Sequence, residues 1–179
     1  MIQERVSIVT LESVQAHFEK YGRRKDVMEF ETSSATVQDA AATIGVAPER
    51  IAKTLSFRGE GEDAFLVVAA GDAKIDNKKF RQTFGFKARM LAAEEVIDQT
   101  GHPIGGVCPF GLARELDVYL DASLERFNTV FPACGSTNSA IELTCQELET
   151  FSGAKSWVDV SKGWQQEEAE AVESTFKEI

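Results

Sequence analysis

Ile51-Ala52-Lys53-Thr54-Leu55-Ser56-Phe57-Arg58, the polar turn Glu60-Gly61-Glu62-Asp63, and Phe65-Leu66-Val67-Val68-Ala69-Ala70 together set the fold class. From Lys53 onward the first segment alternates as a strand does, with side chains on opposite faces of a sheet. The last is an unbroken apolar run, which suits a central strand buried on both faces. Working outward, Val118-Tyr119-Leu120, Thr129-Val130-Phe131 and Ile141-Glu142-Leu143 read as further strands, and 26–32 as a short one. Between them lie helical signals. Leu11, Val14 and Phe18 recur at helical spacing and predict an amphipathic helix over 10–21, closed by Gly22. Thr36 with Asp39 caps a helix to Ile44, Pro48 opens one more turn, and Asp76 caps a helix over 77–84. A short helix covers about 92–99, and Thr144 with Glu147 starts another that ends near Phe151. Short strands mixed with short helices predict a single α+β (mixed α/β) domain around a curved sheet.

The chain has 179 residues, 43% of them hydrophobic and 27% charged, as expected of a soluble globular domain. Its formal net charge of -10 argues against a general nucleic-acid coat, which needs a basic surface, but leaves room for a local basic patch. No stretch approaches the ~20 apolar residues of a membrane span, and the start does not read as a secretory signal. Cys108, Cys134 and Cys145 are odd in number and lack C-x-x-C spacing, which points to a reducing cytosol and away from disulfides or zinc. His17 and His102 are the only histidines, thin material for a metal centre or a Ser-His-Asp triad.

Three features stand out as candidate chemistry. Lys53 opens a strand and shares a face with Leu55 and Phe57. This is either an ammonium set beside a pocket or a lysine at a sheet edge with its head in water. Gly101 to Gly111 carries four glycines and two prolines. Within it, Gly105-Gly106-Val107-Cys108-Pro109 can bring backbone N–H groups up to an ester or phosphate, or can simply connect two elements tightly. Cys108 is a candidate nucleophile only if a base such as His102 lies against it; otherwise it is a small buried residue. Finally, Lys74, Lys78, Lys79, Arg81, Lys87 and Arg89 oppose only Asp72 and Asp76, an excess of four positive charges in an acidic chain. The run is either a solvated helix face or a patch for a polyanion.

Taken in order, several short stretches resemble the YbaK family, which includes the editing domain inserted in bacterial prolyl-tRNA synthetases and its free-standing relatives. They are Ser34-Ala35-Thr36-Val37, Ile51-Ala52-Lys53-Thr54-Leu55, Gly71-Asp72 before Lys78-Lys79, Gly101 to Gly111, Val118-Tyr119-Leu120-Asp121, and Ile141-Glu142-Leu143. The resemblance covers residues 30–150 most strongly. It implies a YbaK-like editing domain over 1–163 on a curved, barrel-like mixed sheet with surrounding helices. An acidic C-terminal helix or tail follows over 164–179, with Val172, Phe176 and Ile179 at helical spacing. The implied activity is hydrolysis of the ester between a wrong amino acid and the tRNA 3′ ribose. The attacking group is the substrate's own hydroxyl or a water, with no cofactor and no metal. The implied site has Lys53, Gly105 and Gly106 as catalytic residues. Thr54, Val107, Cys108, Pro109, Ala133, Gly135 and Ser136 would bind the aminoacyl end, and Lys74, Lys78, Lys79 and Arg81 the tRNA.

This chain departs from YbaK proper at two aligned positions, where a serine is replaced by Ala133 and an aspartate by Ala140. The polar pair that helps that branch act on cysteinyl-tRNA is therefore absent. With no synthetase domains in the chain, the resemblance implies a cytoplasmic deacylase acting in trans on a tRNA(Pro)-type substrate. A non-catalytic module of the same fold that binds tRNA or its aminoacyl end, and a small-molecule esterase using Cys108, remain the alternatives. Amino acid, tRNA and oligomeric state stay open at this level.

Overall fold

The computed structural model describes residues 2–165. Along it run α1 (Ile2–Glu19), β1 (Met28–Glu29), α2 (Val37–Ile44), β2 (Ile51–Arg58) and β3 (Ala64–Ala70). Then come β4 (Lys74–Ile75), α3 (Asn77–Phe84), α4 (Ala93–Thr100), β5 (Asp117–Asp121) and β6 (Thr129–Pro132). The last are β7 (Ser139–Ala140), β8 (Leu143–Thr144), α5 (Cys145–Ser152), β9 (Ser156–Val158) and β10 (Ser161–Lys162). Six strands form one mixed, curled sheet in the order β8-β6-β2-β3-β5-β9, and β1 with β7 and β4 with β10 form two short antiparallel ladders. The domain is α+β, a half-barrel sheet with helices around it.

The hairpin of β2 and β3 centres the sheet, in register from Ala52↔Ala70 to Arg58↔Ala64. All seven residues of β3 are buried, which explains its unbroken apolar sequence. One face carries Ala52, Leu66, Val68 and Ala70 into the larger core, against Val14 and Phe18 of α1 and Val118 and Leu120 of β5. The other carries Phe57, Phe65 and Val67 onto Phe80 of α3, with Phe84 and Phe86 around them. Ring centroids there lie 4.9 Å (Phe57–Phe80) and 4.8 Å (Phe65–Phe84) apart, a spacing at which aromatic pairs attract beyond their area burial.

The caps fall where the sequence places them. The Thr36 hydroxyl accepts from Asp39 N, and the Asp76 carboxylate accepts from Lys78 N and Lys79 N. Thr144 and Glu147 form a reciprocal capping box. Elsewhere the sequence-based expectation is corrected. The first helix begins at Ile2, not near residue 10. The strand expected over 26–32 is a 3-10 turn at 24–26 and two paired residues, Met28↔Ala140 and Glu29↔Ser139. The strand expected at 141–143 is split, because 139–140 pairs with β1 while 143–144 pairs with β6. Trp164, expected at the start of the tail, is buried in the main core, its indole N–H donating to Ser161 Oγ at 2.8 Å. The rest of that tail, with Val172, Phe176 and Ile179, lies outside the described residues.

Candidate functional site

The site begins with a gap at the edge of β2. Its parallel ladder to β6 covers only Ile51 and Ala52. After Pro132 the chain leaves β2 and bridges Ala133 to Ala140 instead. The same edge is covered again farther on, where Leu91 N donates to Ser56 O and Arg58 N to Arg89 O. Backbone groups of Ser56 and Arg58 therefore point outward, and strand alternation puts those of Thr54 on the same edge, between the two covered stretches. A pocket of about 260 Å³ opens there. Its size is near the lower end for small-ligand sites.

Val37 and Ala40 of α2 form one wall with Ile51 and Phe131; Ala133, Ser139 and Ala140 form a second. Met90, Leu91, Ile104, Gly105 and Val107 complete the mouth. Gly105 adopts φ +88, and a Cβ there would meet Ala35 Cβ at 2.8 Å, so only glycine lets this loop lie against the 34–36 segment. Thr54 Oγ1 is buried without a hydrogen-bond partner.

Lys53 also lines the pocket. Its ammonium donates to the carbonyls of Gly71, at 3.3 Å, and Ala73. Burial pulls its pKa below the ordinary lysine value, with the Asp72 carboxylate opposing that shift. The lysine thus ties the start of β2 to the turn after β3, a structural contact that the sequence did not reveal. The Asp72 carboxylate is itself engaged by Arg126, at 2.6 Å.

Residues 31–151 match the family model described as an aminoacyl-tRNA editing domain. The chain belongs to this family. Among its relatives is an uncharacterized Bacillus subtilis protein, YwhH, 68% identical over 157 residues, which span 88% of this chain and 100% of that protein. A candidate Cys-tRNA(Pro)/Cys-tRNA(Cys) deacylase of Enterococcus faecalis, EbsC, is 27% identical over 121 residues, 67% of this chain and 74% of its own. Among solved structures, a candidate trans-editing enzyme for prolyl-tRNA synthetase superposes with a TM-score of 0.77 at 32% identity, covering 86% of this chain and 98% of that one.

Within this editing domain, the residues singled out from sequence separate into two groups. Lys53, Thr54, Gly105, Val107 and Ala133 line the pocket. Gly106, Cys108, Pro109, Gly135 and Ser136 stand behind its wall. The Gly106 N–H closes a turn onto Pro103 O at 2.9 Å, so it is not aimed at a substrate. A Cβ on Gly106 would lie 2.9 Å from backbone atoms of Gly135 and Ser136, which makes it the contact between the two loops. Ser136 Oγ lies 2.6 Å from Ser139 Oγ and orients that pocket hydroxyl from behind. Ser34, Thr36, Ser56, Met90, Val96 and Phe131 also line the pocket; of these, Ser34 and Thr36 belong to the 34–37 motif, and the others carry no signal of a site in the sequence. The basic run also divides. Lys74, Lys78 and Arg81 are exposed, whereas Lys79 Nζ donates to Asp159 Oδ1 and Ser161 O, both at 3.0 Å, and serves as a tie to the C-terminal segment.

Cys108 does have a histidine beside it, with Sγ 3.6 Å from His102 Nε2. The geometry is wrong for a nucleophile. Both residues are fully buried, and burial pushes the thiol up to about 12. The His102 Nε2 hydrogen is committed to Phe110 O at 2.7 Å, so that nitrogen cannot accept the thiol proton. Burial also pulls the imidazole pKa down, which keeps the ring neutral. Cys108→Ser is therefore expected to turn over substrate within about threefold of the parent. A drop of about a thousandfold, the order seen when a nucleophile is removed, in a sample with unchanged melting temperature, would restore the cysteine mechanism.

Proposed function

We propose that this editing domain is a free-standing deacylase of mischarged tRNA, acting in trans in the cytoplasm on a tRNA(Pro)-type substrate. The observation that carries the reading is the pocket at the open edge of β2. It is amino-acid-sized and lined by Lys53, Thr54 and Gly105, within the stretch that matches the family. The aminoacyl side chain enters between α2 and the 133–140 segment, and its ester lies at the mouth beside Gly105 and Val107. Water or the neighbouring ribose hydroxyl attacks the carbonyl. The tetrahedral oxyanion is then stabilised by loop N–H groups and the positive charge of Lys53. Gly106, Gly135 and Ser136 position these groups from behind.

The test is release of amino acid from a panel of mischarged tRNAs, with alanyl- and cysteinyl-tRNA(Pro) included. Hydrolysis well above the spontaneous rate is expected for at least one. Tight binding with no acceleration on any member would favour a non-catalytic module for the aminoacyl end. The bridge of two alanines, Ala133 and Ala140, in the pocket wall speaks for that second reading, since it offers no polar side chain to the reacting ester.

For the tRNA body we propose Lys74, Lys78 and Arg81. Glutamate at all three is expected to weaken tRNA affinity and to flatten its salt dependence by about 0.9 units of slope for each phosphate that is no longer neutralised. Hydrolysis of an aminoacylated adenosine should be untouched. An unchanged slope would mean that the tRNA docks on another face. Lys79→Glu should behave differently and lower the melting temperature, because Lys79 holds Asp159.

A further inference from the structure

We infer that the pocket takes the aminoacyl group with its α-amino nitrogen uncharged, reading it through the open edge of Thr54 and not through an ion pair. This inference rests on the deacylase reading above. Lys53 is the only ionisable residue among the described residues that line the pocket, and no aspartate or glutamate does so. An α-ammonium brought inside would lose its water and meet a like charge, with no carboxylate to offset either effect.

The charged groups around the pocket do not repair this. Behind Lys53, Asp72 is paired with Arg126, and Asp121 is buried and accepts from Ser123 N, Val160 N and Ser161 Oγ. Lys74 adds a further positive charge on that side. Asp39 on α2 is exposed. Beside Val96, Glu95 of α4 is engaged by Arg58 and by Ala92 N. Arg89 precedes Met90 at the mouth, and His102 is buried behind the loop with Nε2 on Phe110 O.

What the wall does offer is neutral. The outward backbone N–H and C=O of Thr54, on the stretch of edge left uncovered between β6 and residues 89–91, supply a donor and an acceptor side by side. A neutral amine has one lone pair and two N–H bonds, and can both accept from and donate to such an edge. An ammonium only donates. The proton stays in bulk solvent. Its removal is easy near neutral pH, because a free α-amino group titrates at about 7.7–8.0 and an adjacent ester draws that value lower.

The measurement is kcat/KM for alanyl-tRNA(Pro) and for the same tRNA carrying lactate, whose 2-hydroxyl cannot take up a proton in this range. Both would be followed with the intact protein from about pH 5.5 to 8.5. The ratio of the two cancels the titration of Lys53, hydroxide and the tRNA. It is expected to rise about tenfold per pH unit below the amine's pKa and then to level. A ratio that is flat, or that falls with pH, overturns the inference, because the ammonium would then be bound equally well or better. Where another mischarged tRNA of the panel is the one cleaved, its amino acid and the matching 2-hydroxy acid replace alanine and lactate; cleavage of no member of the panel by folded protein overturns the deacylase reading and this inference with it. That outcome is distinct from the first, in which the lactyl ester is still cleaved.

Discussion

Gly106→Ala is expected to lower deacylation by about a hundredfold and the melting temperature by about 2–12 °C. The methyl would sit 2.9 Å from Gly135 C and from Ser136 N and C. These are backbone atoms of a second loop and cannot swing aside as a side chain would. Overpacking of this kind costs about 1–3 kcal/mol, and each kcal/mol moves Tm by about 2–4 °C in a domain of this size. The effect on activity exceeds that on stability because the shift is delivered to Gly105 and Val107 at the mouth, and a displacement of about 1 Å near reacting groups can cost a hundredfold. Gly61→Ala is the control. Gly61 has φ +76 but nothing within 4 Å of a Cβ, so it should lose about 1 kcal/mol of stability from strain alone and no activity. Equal behaviour of the two variants would show that the loop contact does not govern the site.

Lys53→Ala is expected to lower kcat/KM by about ten- to a hundredfold, the range for one charge-assisted contact of about 1.5–3 kcal/mol. It should also be less stable, since the carbonyls of Gly71 and Ala73 would be left without their donor. After allowance for partial solvent access, that destabilisation is about 1–2 kcal/mol. Lys53→Met keeps the stem and should recover part of the stability but none of the rate. Lys53→Arg should recover little of either, because a planar fork does not fit two carbonyls arranged for a compact ammonium. The pH dependence has a definite sign. The folded-state pKa lies below that of the unfolded chain, so between the two values the unfolded chain binds more protons and stability rises with pH. Denaturation followed through the alkaline range should show this rise in the parent and its absence in Lys53→Ala. Full activity in a destabilised Lys53→Ala would reduce the lysine to its tie with the 71–73 turn.

The central hairpin, the caps at Thr36, Asp76 and Thr144, and the glycine-rich loop were legible because each is a local pattern with its own chemistry. β4, β9 and β10 were not. They contain two or three residues each, too few to show a period, and exist because tertiary structure brings β4 and β10 together as a pair and lays β9 along the edge of β5. The start of α1 was not legible because its apolar repeat is clear only from Leu11 onward. The pocket itself was the least legible. Lys53, Gly105 and Val107 carried signals of residue type. The opening, however, depends on β6 leaving β2 at Pro132 and on residues 89–91 rejoining it, and neither event leaves a mark in the residues that open. Met90 and Phe131 are ordinary apolar positions in the sequence, and only that edge gives them a place at the pocket.

Helix α1 lies before the stretch that matches the family, yet it bolts both site loops together. The Thr10 hydroxyl donates to Gly135 O, and Ser13 Oγ to Gly111 O at 3.3 Å. Cβ atoms at Gly135 and Gly111 would strike Thr10 O and Ser13 C at 2.6 and 2.9 Å. Val14 and Phe18, with no exposed surface, roof the core between these loops. The stretch that matches the family model is therefore shorter than the set of contacts that holds the two loops together. A designer who transplants residues 31–151 into another chain carries over every residue that lines the pocket without the helix that braces its loops. The recipient protein would have to supply an apolar helix of its own, laid across the same two loops.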